Sequence, residues 1–211
     1  PMSIFLLKRL LMLAAKLLGA SAVVFDVLEV LPSNAAQTLM GTDAAPEAVQ
    51  ALAVQLGLDQ PAWQRYLQWL QGLLHGDMGL SYAYSTPVSE LVLERLAVTV
   101  PLAVMAMLIT TVLALAAGIY AASRHNRWGD LGIMGLAQVG IAIPNFWFAI
   151  LLILVFSVKL QWFSAGGFPG WSEADGGGPL QALQALLLPA ISLAVVQAAI
   201  LARITRSAVL E

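Results

Sequence analysis

Two apolar segments without a charged residue limit what this chain can fold into. They run from Ala97 to Ala122 and from Gly132 to Val158. A helix rises about 1.5 Å per residue, so each segment exceeds the roughly 30 Å hydrocarbon core of a bilayer. Two further apolar segments, 4–31 and 180–202, bring the predicted transmembrane helices to four. The sequence therefore predicts an all-α, polytopic membrane helical bundle.

The composition agrees with a membrane protein and excludes several other classes. Hydrophobic residues make up 60% of the chain, charged residues 10%, and the mean hydropathy is +0.83. A water-soluble globule of this size needs more polar surface, so lipid is an expected partner. A net charge of −2 without a basic cluster argues against nucleic-acid binding. The absence of cysteine excludes disulfides and thiolate metal sites.

The first apolar segment is the weakest of the four, because Lys16, Asp26 and Glu29 interrupt it. Charged residues at the centre of a membrane helix cost about 2.5–3.5 kcal/mol each. Lys16 can extend toward the basic N-terminal end, while the two acids lie near the opposite end. A cleaved signal peptide and an interfacial amphipathic helix are alternatives. The apolar chain that follows favours a retained first transmembrane helix over residues 1–31.

Residues 32–95 are more polar and are predicted to form an extracytoplasmic helical segment. Thr42 or Asp43 is expected to cap a helix that begins near Pro46, and Asp59 to cap another over 61–74. A further helix is expected to begin at Thr86 and Pro87 and to continue into the second span. This segment separates the first span from the remaining three.

Aromatic residues mark the predicted helix over 61–74. Trp63, Tyr66 and Trp69 accompany leucines at three- and four-residue spacing. Such a pattern is typical of a helix at a membrane surface, and packing against the rest of the protein is the alternative. The three residues are therefore candidates for an extracytoplasmic surface that meets lipid or a docked partner.

The cationic residues predict the orientation. If four spans alternate, most of them fall on one side: Lys8, Arg9, Lys16, Arg124, Arg127, Arg203 and Arg206. Cytoplasmic loops carry an excess of Lys and Arg. The N-terminus and the loop 123–130 are therefore expected in the cytoplasm, and residues 32–95 outside.

Polar residues inside the third and fourth spans are candidates for a translocation pathway. Gln138 and Asn145 are seven residues apart, so on one continuous helix they project from nearly the same face. Pro144 removes one backbone hydrogen bond and loosens that helix. These residues, with Gln197 in the fourth span, either line a water-filled path or form hydrogen bonds between helices. Both interpretations stay open.

Small residues recur every fourth position in two of the spans. The second span carries Ala114, Gly118 and Ala122, and the fourth carries a similar row, namely Ala190, Ala194, Ala198 and Ala202. Such rows let helix backbones approach closely in lipid. They predict helix packing rather than a ligand site.

Catalytic signatures are absent from the sequence, including the phosphate-binding loop G-x-x-x-x-G-K-[ST]. His75 and His125 fall on opposite predicted sides of the membrane and cannot share a metal ion.

Asp26 and Glu29 are the only candidate acid pair for an intramembrane enzyme, and solvated acids at the outer helix end are favoured instead. The glycine-rich stretch 166–178 is expected to be a flexible connection. We expect no catalytic residue, metal site or cofactor.

Four stretches resemble one family. Residues 31–82 (LPSNAAQTLMGTDAAPEAVQALAVQLGLDQPAWQRYLQWLQGLLHGDMGLSY) look like the external segment of ABC-transporter permeases of the dipeptide, oligopeptide and nickel type, and in particular of the N-terminal part of the first permease subunit. The other stretches are IPNFWFAILLILVFS (143–157), LLLPAISLA (186–194) and LARITRSAVLE (201–211). The resemblance covers nearly the whole chain, and the order of the motifs is more specific than any one of them.

The resemblance implies a bacterial inner-membrane subunit that forms the translocation pathway for peptides or a related small solute. It implies a second permease subunit, two cytoplasmic ATPase subunits and an extracytoplasmic solute-binding protein as partners. ATP hydrolysis then belongs to those partners, and a non-transporting membrane scaffold is the alternative function. Family members commonly carry LPGDPA where this chain reads LPSNAA. Residues 96–211 are expected to form the third region of the chain, after the first span (1–31) and the extracytoplasmic segment (32–95). This region holds spans two to four and stops before the cytoplasmic EAA loop that engages the ATPase.

Overall fold

A computed structural model describes residues 2–30 and 35–211, and most of them are helical. The all-α fold is confirmed. The chain divides into two compact units, Pro1–Arg95 and Leu96–Glu211. Part of the LPSNAA stretch, residues 31–34, lies outside the described residues. The long helices are α1 (Met2–Val30), α5 (Val88–Ser123) and α8 (Pro179–Leu210), and the shorter ones are α2 (Ala35–Met40), α3 (Pro46–Gln55), α4 (Ala62–Leu74), α6 (Trp128–Ala142) and α7 (Asn145–Leu152).

Three helices, α1, α5 and α8, are long and apolar enough to cross a membrane. The helix α6 and the segment Asn145–Lys159 pass the same test only together, and they meet at an angle of 100°, the geometry of a broken span or of a re-entrant loop. The prediction of a polytopic membrane protein is confirmed. The third predicted span is not the single continuous helix that the sequence suggested.

In the first unit, prolines rather than polar caps mark the starts of α3 and α4. The residue before α3 is Ala45, which has an extended backbone and no side-chain cap, and Pro46 is the first helical residue. Proline restricts the preceding residue to extended conformations and lacks the N–H that a cap would satisfy. In α4 the proline is one position earlier: Pro61 is the residue before the helix, which begins at Ala62. The predicted caps Thr42, Asp43 and Asp59 are therefore wrong.

A small hairpin precedes the long helix α5. Strand β1 (Leu80–Ser81) pairs antiparallel with β2 (Thr86–Pro87), and α5 begins one residue later. The sequence placed the helix start two residues too early. Continuation of this helix into the second span is confirmed, and the helix includes Pro101.

In the second unit, small residues bring α5 and α8 into close contact. Ala114 of α5 and Ala198 and Ala202 of α8 form a buried cluster. A Cβ atom added to Gly118 would lie 2.6 Å from Cβ of Thr205 and 2.8 Å from the carbonyl oxygen of Ala202. The prediction that the small-residue rows pack helices together is confirmed.

The connection between α7 and α8 contains two close contacts, at Trp171 and at Gly177. A π-helical segment (Ile153–Lys159) continues α7, and a 3₁₀ turn (Glu173–Asp175) lies farther along. The indole N–H of Trp171 donates to the carbonyl of Ala97 at 2.8 Å. A Cβ atom on Gly177 would lie 2.6 Å from the carbonyl oxygen of Gly170. Gly177 thus serves a close backbone approach, and the expected flexibility of the rest of this stretch stays a prediction.

Candidate functional site

An ion pair between Asp130 and Arg206 joins the start of α6 to the end of α8. Nε and Nη2 of Arg206 donate to Oδ1 and Oδ2 of Asp130, each at 2.6 Å. The backbone N–H of Asn126 donates to Oδ2 at 3.0 Å. Asp130 is only 2% exposed. The planar fork of a guanidinium matches a carboxylate in this geometry, which adds directionality to the attraction of the charges.

The ion pair also fixes the charge of Asp130, which precedes the apolar segment that begins at Gly132. Hydrogen bonding to Arg206 lowers the pKa of Asp130 to about 2, with smaller contributions from the Asn126 amide and neighbouring positive charge, while burial opposes the shift. Asp130 is therefore ionised at neutral pH. Because the folded-state pKa is lowered, the associated stabilisation is present above the ordinary carboxyl pKa and is lost as the pH falls toward 2.

His125 contacts the same ion pair. Its Nδ1 lies 3.1 Å from Nη2 of Arg206 and 3.6 Å from Oδ2 of Asp130. Its Nε2 lies 3.0 Å from Nδ2 of Asn126, so both ring nitrogens face neighbouring side chains. The sequence interpretation of His125 as a simple loop residue is therefore incomplete.

Sequence reasoning missed this cluster. Arg206 served only to predict orientation, and Asp130 was treated as the end of a loop. The available signal was the pairing of an acid and a base at helix ends predicted on the same side of the membrane.

Gln138 lies near the cluster on α6, and its Oε1 accepts a hydrogen bond from Nη1 of Arg203 at 3.4 Å. Asn145 is the first residue of α7, beyond the bend. The expectation that Gln138 and Asn145 share one face of a continuous helix is wrong, since helical periodicity does not continue through a 100° bend.

Proline accounts for the break. Ile143, before Pro144, has an extended backbone, as the residue preceding a proline prefers. Pro144 offers no N–H to α6, and the hydrogen bond at the start of α7 runs from the Phe148 amide to the Pro144 carbonyl at 3.1 Å. The amides of the first turn of α7 lack acceptors within their own helix. Backbone N–H groups without an acceptor in their own helix therefore lie beside the Asn145 side chain at the break.

The three pathway candidates, Gln138, Asn145 and Gln197, are each exposed in this chain. No hydrogen bond joins them to one another in the part of the chain that the structure describes. Exposed amides can contact water, a solute or another subunit. Their place in a pathway stays a prediction.

The three aromatic residues of α4 occupy different environments. Trp63 is 62% exposed. Tyr66 is half-buried, and its hydroxyl lies 2.7 Å from Oγ of Ser21 and donates to the carbonyl of Leu18 at 3.1 Å. Trp69 is half-buried and donates from its indole N–H to the carbonyl of Met78 at 3.3 Å. Their shared role at an outer surface stays a prediction.

The two acids of α1 also differ. Glu29 forms an ion pair with Arg65 of α4. Both acids are exposed, as expected for a solvated helix end, and Glu29 has an ion-pair partner in addition. Across residues 2–30 and 35–211, no three His, Cys, Asp or Glu side chains come close enough together to hold a metal ion.

Comparison with known proteins gives two family matches. The model described as "Binding-protein-dependent transport system inner membrane component" matches residues 114–211. The model of the N-terminal part of such membrane components matches residues 2–103. Together the two models match most of the chain.

Individual relatives include a putative peptide transport system permease protein of Brucella suis, 40% identical over 210 residues that cover 100% of this chain and 66% of the relative. A dipeptide transport system permease protein of Alkalihalophilus pseudofirmus is 32% identical over 98% of this chain and 67% of its own length. A glutathione transport system permease protein of Escherichia coli K12 is 33% identical, with 98% and 64% covered. The chain spans about two thirds of the length of these relatives.

Proposed function

Because the chain belongs to the family of binding-protein-dependent transport system inner membrane components, we propose that it is a permease subunit of an ABC importer for peptides or a related small solute. The chain is a multi-pass membrane protein with three long apolar helices, and we assign the bent pair of α6 and Asn145–Lys159 as a divided fourth crossing. Relatives named as peptide, dipeptide and glutathione permeases support a peptide-like solute.

The proposal extends to partners and orientation. A second permease subunit, two cytoplasmic ATPase subunits and an extracytoplasmic solute-binding protein complete the importer. Because this chain lacks a phosphate-binding loop, ATP hydrolysis is assigned to the partners. The distribution of Lys and Arg supports a cytoplasmic N-terminus in a bacterial inner membrane. In this arrangement residues 1–31 form the first span, 32–95 the extracytoplasmic segment and 96–211 the remaining spans.

The broken helix carries the proposal for the pathway itself. Irregular backbone at membrane depth is tolerated where it is buried in protein or lines a water-filled cavity. Pro144 and Asn145 are exposed at the break, so the described part of this chain does not cover them. Transporters place substrate sites at the free ends of such broken helices. We therefore assign Asn145 and the neighbouring amides to the pathway, with Gln138 and Gln197 as further lining residues.

Uptake into vesicles tests both proposals in one experiment. The full-length protein, reconstituted with its partner subunits and receptor, should accumulate a labelled peptide only when ATP is present. Asn145→Leu removes a side chain that can bond a solute, and the loss of one net hydrogen bond predicts an uptake rate about two- to tenfold lower. Phe146→Leu is the matched control, since Phe146 is 71% exposed and apolar.

Each outcome has a separate meaning. Absence of ATP-dependent uptake by a fully assembled wild-type complex, across a broad peptide set, would contradict the importer function. Normal uptake and selectivity in Asn145→Leu would remove Asn145 from the pathway and leave the importer function standing.

A further inference from the structure

The exposed apolar side of α4 has no partner in the described residues of this chain. We propose that this side inserts into the outer boundary of the lipid bilayer and anchors the extracytoplasmic segment there. We call it the α4 apolar face and define it by Trp63, Leu67, Leu70 and Leu74. The inference rests on the proposed topology, in which this segment faces outward, and it deepens that proposal by choosing lipid over a docked receptor.

The side chains of this face lie close together on the helix. With 100° between successive residues, the four fall within an arc of about 60°. Trp63 is 62% exposed, Leu67 54% and Leu74 86%, whereas Leu70 is half-buried. Gln64, Gln68 and Gln71 occupy one flank, and Arg65 lies on the opposite side. An uncharged tryptophan–leucine face beside a polar flank is the pattern of a helix in the plane of a membrane interface.

Contacts with α1 give this face a direction. Tyr66 adjoins the α4 apolar face, and its hydroxyl reaches Ser21 and Leu18 of α1. Arg65, on the other side of α4, pairs with Glu29 near the end of α1. Glu29 follows Ser21 by eight residues, which correspond to about 12 Å along α1. This distance is close to the diameter of a helix with its side chains. The apolar face is thus turned toward the middle of the span, and the polar side toward its end.

The surroundings of α1 favour lipid as the molecule that covers the α4 apolar face. No residue of α1 is buried, although this helix is long and apolar enough to cross a membrane. The part of α1 that α4 contacts also carries exposed apolar residues, such as Val24 and Leu28. An apolar face that lies beside a membrane-spanning helix and turns toward the middle of that helix meets acyl chains and headgroups. Tryptophan is enriched at that depth.

Spin labels can test this placement because the sequence contains no cysteine. Leu67→Cys puts a nitroxide on the α4 apolar face, and Gln68→Cys puts one on the polar flank of the same turn. The full transporter, freed of other cysteines, is reconstituted in vesicles of phosphatidylethanolamine and phosphatidylglycerol without receptor. Collision rates are measured with oxygen, which concentrates in lipid, and with the water-soluble complex nickel ethylenediaminediacetate.

The label at position 67 should show an oxygen-to-nickel collision ratio several-fold higher than the label at position 68. Equal ratios at the two positions, with free access of the nickel complex to position 67, would overturn lipid insertion. A position 67 that becomes shielded only when the receptor is added would assign the face to protein docking and would also overturn it. Uptake by the same vesicles keeps these outcomes separate from a failure of the proposed function.

Discussion

Replacing Gly118 by leucine is expected to separate α5 from α8 and to destabilise the membrane domain by about 3 kcal/mol or more, the upper end of the cost of overpacking. A Cβ atom at this position already lies 2.6 Å from a Thr205 side-chain carbon and 2.8 Å from a backbone oxygen of Ala202. The backbone oxygen cannot move aside by changing rotamer. The helices must therefore part, which also uncovers the cluster around Ala114.

Thermal unfolding of the purified full-length protein in detergent measures this effect. Gly135→Leu is the matched control, since Gly135 lies in the helix α6 and no atom approaches within 4 Å of its added Cβ. Both variants add the same side chain to a helical glycine, so helix propensity and hydrophobicity are balanced. Similar melting temperatures for the two variants would show that α5 and α8 do not meet at Gly118.

Arg206→Leu is expected to cause a comparable loss, because it leaves the carboxylate of Asp130 buried without its partner. A single change in a buried ion pair is more harmful than removal of both charges, since the remaining ion keeps its desolvation cost. The double variant Asp130→Leu/Arg206→Leu should therefore be more stable than Arg206→Leu alone. The exchanged pair Asp130→Arg/Arg206→Asp should recover part of the loss.

A double-mutant cycle on melting temperature and on the yield of monodisperse protein tests the ion pair. Arg203→Leu is a suitable comparison, because Arg203 makes a longer hydrogen bond to the neutral Gln138. Effects of Asp130→Leu and Arg206→Leu that simply add would show that the two charges act independently.

The sequence predicted features of the fold that depend on local composition. Segment length and the absence of charge identified the spans, and the rows around Gly118 and Ala198 identified the faces that pack. The bend at Pro144 was foreseen only as a loosened helix, because proline fixes the loss of a hydrogen bond but not the angle. In the structure Gly140 of α6 lies close to Ala199 of α8. Contacts of this kind join residues that are distant in sequence, and they fix the directions of the two helices that flank the bend.

The candidate site was less accessible to sequence reasoning. Asp130 and Arg206 are 76 positions apart, and either charge alone is consistent with a solvated helix end. Glu29 and Arg65 likewise meet only because α4 folds back against α1. Local patterns also misled at Asp59, where Pro61 sets the start of the helix instead. The two ion pairs depend on tertiary packing, which no local spacing encodes.

The central claim is that α6 and the segment after Pro144 together make one crossing of the membrane, so that their two ends face opposite compartments. Ser123→Cys and Ser172→Cys test it with nearly isosteric changes at two exposed serines. Each is introduced singly into a cysteine-free full-length protein in intact bacterial inner-membrane preparations of known orientation. We expect a membrane-impermeant maleimide to label position 172 from the outer side, and position 123 only after permeabilisation. Labelling of both positions from one side would make the bent pair a re-entrant loop and would contradict the account.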